Sequence, residues 1–154
     1  MKFTLDTNVF VDAIRDVTFA AALAAFLERA LSTTFLSAVV VQELRAGART
    51  RAQVRQLEAS IFRPFERRGR VFAPSISAFR ESGRLLAELA AREGWPAIHA
   101  DPSLGNDALL AVSCRERGFT LITSDQDFDR FLPSLGRWRH AKPWPQFSRT
   151  VGRR

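Results

Sequence analysis

Lys2-Phe3-Thr4-Leu5-Asp6-Thr7-Asn8-Val9-Phe10 decides the fold. An alternating, apolar-rich run ends in an acid, a hydroxyl and an amide, and a helical pattern starts at once. Strand, polar turn, helix is how an α/β sheet presents chemistry at the carboxyl end of a strand. Asp6 is expected at that end. An Asp there also serves as an ordinary helix N-cap, so it gains meaning only from other acids at comparable places.

Three later stretches supply them. A short β-rich run, Thr33 to Leu36, is followed by Ser37, which is expected to cap a helix over 38–46 stopped by Gly47. Glu43 lies on that helix among Val39, Val40, Val41 and Leu44, where an acid is either turned to water with Gln42, paired or functional. Asp107 falls in the first turn of a helix over 106–118, a place the helix dipole favours for any carboxylate. Phe119-Thr120-Leu121-Ile122-Thr123 reads as a strand, with Asp125 and Asp127 after it, both also suited to capping a short helix over 127–132.

Between these lie further helices. Residues 8–15 are expected to turn Val9, Ile14 and Phe10 inward. Residues 18–31, capped by Thr18, carry a stripe of Phe19, Leu23, Phe26 and Leu27. Asp12 and Asp16 are expected in solvent. Residues 50–68 form a long basic helix that Pro64 kinks or breaks. Residues 71–73 are a short strand or a connection. Residues 75–92 form a helix with Ile76, Phe79, Leu85, Leu86 and Leu89 inward, ended by Gly94. Trp95 to Gly105, with Pro96 and Pro102, reads as a loop, and His99 as a loop residue. Residues 137–140 suit an edge strand, and the tail after Pro143 either packs back or extends. Helices alternating with short strands predict an α/β fold, a parallel sheet covered on both faces.

The chain has 154 residues, 46% of them apolar, enough for one domain over 1–154 with its own core. No apolar run reaches the ~20 residues of a membrane helix, and the N-terminal stretch reads as a strand rather than a signal peptide. One cysteine, Cys114, excludes an internal disulfide framework. A reducing, cytoplasmic setting is the expectation. The net charge is +7, almost all of the positive charge being Arg. Eight Arg stand between Arg45 and Arg70, and the tail over about 137–154 is basic. These blocks are either solvated faces or surfaces for a polyanion.

Carboxylates gathered in one crevice repel one another and raise their own pKa values unless a cation is present. A hard divalent ion such as Mg²⁺ takes oxygen ligands, activates water and steadies a phosphate oxygen. Acids flanked by arginines follow the logic of a phosphodiester hydrolase.

Leu5-Asp6-Thr7-Asn8-Val9, Val41-Gln42-Glu43-Leu44-Arg45-Ala46-Gly47, Asn106-Asp107-Ala108-Leu109-Leu110-Ala111 and Leu121-Ile122-Thr123-Ser124-Asp125-Gln126-Asp127-Phe128 resemble, in order, the four motifs of PIN domains. The first two are particularly similar to those of VapC toxins of bacterial toxin–antitoxin pairs. The resemblance implies a three-layer α/β/α sandwich with a short parallel sheet. It implies a Mg²⁺- or Mn²⁺-dependent endoribonuclease that hydrolyses RNA with a metal-activated water. It implies a homodimer and a cognate antitoxin whose segment blocks the acidic crevice. Asp6, Glu43, Asp107 and Asp125 match the catalytic, metal-binding acids. Thr7, Asn8 and Thr123 match the polar residues that orient them, and Asp127 an outer substitute. Two other readings stand beside this one: a non-catalytic RNA-binding module or housekeeping RNA-processing nuclease of the same fold, and a phosphotransfer domain. The last requires a Lys after a strand, and no Lys lies between Lys2 and Lys142.

Overall fold

A computed structural model of the chain describes residues 1–143. The chain opens with β1 (Lys2–Leu5), α1 (Thr7–Arg15) and α2 (Val17–Ala30), and a 3₁₀ turn leads to β2 (Thr34–Ser37). Next come α3 (Ala38–Gly47) and α4 (Arg51–Leu57), a π-helical turn (Glu58–Phe62), α5 (Arg63–Glu66) and β3 (Val71–Phe72). The second half holds α6 (Ile76–Glu93), α7 (Trp95–His99), α8 (Leu104–Arg117) and β4 (Phe119–Ile122). A 3₁₀ turn (Asp127–Phe131), α9 (Leu132–Leu135) and β5 (Arg139–Ala141) complete it.

The sheet is parallel throughout, in the order β3-β2-β1-β4-β5. The chain moves outward from β1 in one direction through β2 and β3, then returns to the other side of β1 for β4 and β5. Right-handed crossovers therefore place α1–α5 on one face and α6–α9 on the other. The packing agrees: α1 meets α2 and α3, whereas α6 meets α7, α8 and α9. This is the α/β/α sandwich expected.

Burial on both faces explains the strands. Phe3, Thr4 and Leu5 are all buried, as are all four residues of β4, because each face of a parallel sheet is covered. Leu5, Leu36, Leu121 and Ile122 have no exposed surface. Val9, Phe10 and Val40 pack above them, and Leu85, Leu110 and Phe128 below.

Local chemistry sets most boundaries. Ser37 caps α3 by accepting from Val39 N at 3.2 Å. Thr50 and Gln53 form a reciprocal capping box at the start of α4. Gly94 and Gly118 end α6 and α8 at positive φ, +87° and +64°, which glycine adopts without strain.

The long basic helix is continuous but carries a π turn just before Pro64, with the Arg63 N–H reaching back to the Glu58 carbonyl. Pro64 has no N–H and its ring crowds the carbonyl four residues earlier, and the wider turn makes room.

Several expectations are corrected. Asp16, not Thr18, caps α2, accepting from Phe19 N at 2.8 Å from an extended backbone. Ile14 is 53% exposed, because it projects past the covering helices into a surface groove. Ile76 and Phe79 are 77% and 58% exposed. The buried stripe of α6 is Ala78, Ser82, Leu85 and Leu89, whose helical spacing leaves both larger residues off-face. Residues 95–99 form one helical turn where a loop was expected, because Pro96 stands in the first turn, where its missing N–H is not needed. α8 begins at Leu104, two residues before the expected Asn106. Trp144, Phe147 and the rest of the basic tail lie outside the described residues.

Candidate active site

Asp6 is the last residue before α1 and lies at the carboxyl edge of the sheet, with its N–H bound to the Ile122 carbonyl of β4 at 2.9 Å. β1 and β4 are adjacent strands whose connections leave in opposite directions. Such a switch point opens a crevice at the strand ends.

Asp6 is 5% exposed and fully engaged. Oδ1 accepts from Thr7 N at 2.7 Å, which is the N-cap bond. Oδ2 accepts from Thr123 Oγ1 at 2.7 Å and from Asn8 Nδ2 at 2.9 Å. The Thr123 hydroxyl uses its whole capacity: it donates to Asp6 and accepts from Asn8 Nδ2 at 3.1 Å and Asp125 N at 3.0 Å. Asn8 Oδ1 accepts from Ser124 N at 3.3 Å. Asn8 and Thr123 thus lock the exit of β1 to the exit of β4, with Asp6 between.

Glu43 reaches this edge from α3. Its Oε2 accepts from the Thr7 hydroxyl and its Oε1 from Asn106 Nδ2 at 3.0 Å. The half-buried Glu43 is therefore a paired acid, and its partners come from α1 and α8. Asp107, 8% exposed, accepts from the Ser103 hydroxyl at 3.1 Å. The Ser103 hydroxyl also lies 2.8 Å from Asp101 Oδ1, so its single proton is shared between the two carboxylates, and Arg130 pairs with Asp101 at 3.3 Å and Glu93 at 2.6 Å. Asp125 accepts from Asp127 N at 2.8 Å.

The electrostatics bind these acids into one group. Burial pushes the Asp6 carboxyl up from 3.8 to about 6, opposed by its bonds from Thr123 and Thr7, and the charges of Glu43 and Asp125 add to the rise. Burial pushes Asp107 up to about 7, helped by the charges of Asp6, Glu43 and Asp125 and opposed by Ser103. Among the described residues no three Asp, Glu, His or Cys side chains stand in metal-ligating geometry. The carboxylates are turned onto Thr7, Asn8, Asn106, Ser103 and Thr123 instead. The donor set is nonetheless all oxygen, mutually repelling and partly desolvated, which suits a hard divalent cation.

Asp6, Glu43, Asp107 and Asp125 are thus brought to one edge from the end of β1, α3, α8 and the end of β4, with Thr7, Asn8, Asn106 and Thr123 as donors to Asp6 and Glu43, and Ser103 to Asp107. Asp127 is not: it is exposed, contributes its backbone N–H, and its charge acts on Arg130. His99 is exposed and leans on Trp95, with ring centres 5.8 Å apart. Sequence reading gave no role to Asn106, Ser103 or Arg130. Asn106 was findable as an amide beside the acid in the first turn of its helix, while Arg130 had no local signal.

A profile of the PIN domain matches residues 3–131. The chain belongs to the PIN domain family. Several solved structures share its fold. DNA-bound VapBC from Salmonella typhimurium is 23% identical at TM-score 0.66, over 92% of this chain and 98% of that one. VapBC2 from Rickettsia felis, bound to a promoter DNA fragment, is 20% identical at TM-score 0.62, over 94% and 100%. FitAcB from Neisseria gonorrhoeae is 22% identical at TM-score 0.61, over 92% and 98%. No curated protein sequence matches the chain. Among the described residues of this PIN domain, no helix is long and apolar enough to cross a membrane.

Proposed function

We propose that this PIN domain is a metal-dependent endoribonuclease, the toxin of a toxin–antitoxin pair. One observation carries the reading: acids from separate elements gather at the switch point of the sheet, and the charges of Glu43 and Asp125 add to the raised proton affinity of Asp6 and Asp107.

Asp6, Glu43, Asp107 and Asp125 would hold Mg²⁺ or Mn²⁺. When bound, such an ion supplies Lewis-acid charge to a phosphoryl oxygen and lowers the pKa of a water. The chain's own residues do the rest. Thr123 and Asn8 fix the Asp6 carboxylate from two sides. Thr7 and Asn106 hold the two oxygens of Glu43, so its direction is set by α1 and α8. Burial around Asp6 and Asp107 limits solvent and strengthens every charge interaction there.

A groove of about 270 Å³ opens from Thr7 and Glu43 and runs past Val11, Ile14, Leu44 and Leu57. Its apolar wall beside the acids suits the blocking segment of an antitoxin, and the similarity to VapBC supports that partner. RNA as substrate and a homodimer complete the reading.

One observation favours the non-catalytic alternative: the carboxylates rest on neutral donors rather than around a common point. The deciding experiment is cleavage of a mixed pool of structured RNAs with Mg²⁺, with Mn²⁺ and with EDTA, beside Asp6→Asn. Discrete metal-dependent cuts, absent from the variant, are expected. Full activity of Asp6→Asn, or RNA binding with neither cleavage nor Mn²⁺ uptake, refutes the nuclease.

A further inference from the structure

A second cleft, of about 440 Å³, lies where α3 hands over to α4. Its walls carry Arg45, Arg49, Arg51 and Arg55, and all four are exposed. Ala48 lines both this cleft and the groove that contains Thr7 and Glu43, so the two adjoin there.

The four guanidinium groups make no ion pair and donate no side-chain hydrogen bond within the described residues. Three arginines elsewhere are neutralised: Arg84 sits between Glu81 and Glu88, Arg115 faces Glu81, and Arg130 bridges Glu93 and Asp101. Arg51 and Arg55 are four residues apart on one helix, and like charges at that spacing destabilise it. Nothing inside the described protein compensates that repulsion. The rigid forks of four such arginines match a line of phosphates better than one isolated anion.

We propose that the α3–α4 corner is a phosphate subsite that holds the RNA backbone as the strand leaves the acid cluster. The inference rests on the nuclease reading for the identity of the polymer. The corner contributes to binding and register and does not touch the reacting atoms.

The test uses the full chain in EDTA, where no cleavage complicates binding. Affinity for a short fluorescein-labelled uridine homopolymer is measured against salt concentration for wild type, Arg51→Ala/Arg55→Ala and Arg51→Lys/Arg55→Lys. Each phosphate contact on a single strand contributes about 0.7 to the slope of log K against log salt. The Ala pair should flatten the slope by about 1.4, two contacts' worth. The Lys pair should keep the wild-type slope, because charge is retained. A slope unchanged in the Ala pair, or lost equally in the Lys pair, overturns the proposal. With Mg²⁺ restored, the Ala pair should raise KM and leave kcat in place; a fall in kcat at unchanged KM also overturns it. If wild type cleaves nothing, the nuclease reading fails while the salt slope still judges the corner.

Discussion

The acid cluster makes the metal-free protein less stable as pH rises, and Asp6 allows the size to be worked out. Its carboxyl titrates at 3.8 ordinarily and at about 6 when folded. Below pH 3.8 both states hold the proton. Between the two values the folded state keeps it and the unfolded state releases it, so stability falls with rising pH, and the loss is complete above about pH 7. The whole loss is about 3 kcal/mol, at 1.36 kcal/mol for each pKa unit. Roughly half of it, about 1.4 kcal/mol, falls between pH 5 and pH 8. Asp107, raised to about 7, acts in the same direction over that window. The assay is urea unfolding in EDTA at pH 5 and pH 8, for wild type and Asp6→Asn. The variant cannot titrate at position 6. Wild type should therefore lose about 1.4 kcal/mol more than the variant, equivalent to roughly 3–6 °C in Tm. Parallel behaviour of the two proteins would mean that Asp6 is solvated and ordinary, and the argument for a repelling acid cluster would fall with it.

Other outcomes follow from the same geometry. Adding Mn²⁺ at pH 8 should restore stability, by about 2.7 kcal/mol at a free concentration near 100 Kd, and calorimetry should show weaker binding at pH 5, where Asp6 and Asp107 retain protons. Glu43→Gln keeps the shape that Thr7 and Asn106 address but loses the charge; RNA cleavage should drop by roughly a hundredfold or more with the melting temperature little changed. Thr123→Val leaves one oxygen of Asp6 and the Asp125 N–H short of a partner, and denaturant unfolding should show a loss of about 1–3 kcal/mol. Leu89→Ala opens a hole under the sheet on the α6 side, and the same measurement should show about 2–5 kcal/mol lost with the metal-binding constant retained.

The parallel sheet was legible because its strands are short, apolar and each followed by a polar turn and a helix. Asp6 and Thr123 were legible as strand-end residues. Glu43 stood out because an acid among valines needs a reason. What escaped was side-chain direction on helices with ambiguous stripes. On α6 the large Ile76 and Phe79 suggest a buried face, yet the small Ala78 and Ser82 occupy it. Long-range partners escaped too: Arg130, in the turn after β4, pairs with Asp101, which precedes α8, and no spacing rule encodes that meeting.

The donors of the acid cluster show why site and fold are hard to separate here. Asp6 begins α1, and its cap bond to Thr7 is an ordinary helix start. The same carboxylate is gripped by Thr123, 117 residues away, at the end of β4. Glu43 is held by one hydroxyl from α1 and one amide from α8, on opposite faces of the sheet. Asp6 and Glu43 are thus each oriented by residues from other crossovers, and these meet where β1 and β4 lie side by side. A strand order that separated β1 from β4 would take Thr123 away from Asp6 and leave that acid as a plain helix cap. Neutral donors do this orienting, because a nearby arginine would satisfy the carboxylates and remove their demand for a cation. Four unpaired arginines stand one groove away, at the α3–α4 corner. Keeping the two charges apart leaves the acids available to a cation and the arginines to a polyanion, which is the separation a phosphodiester nuclease requires.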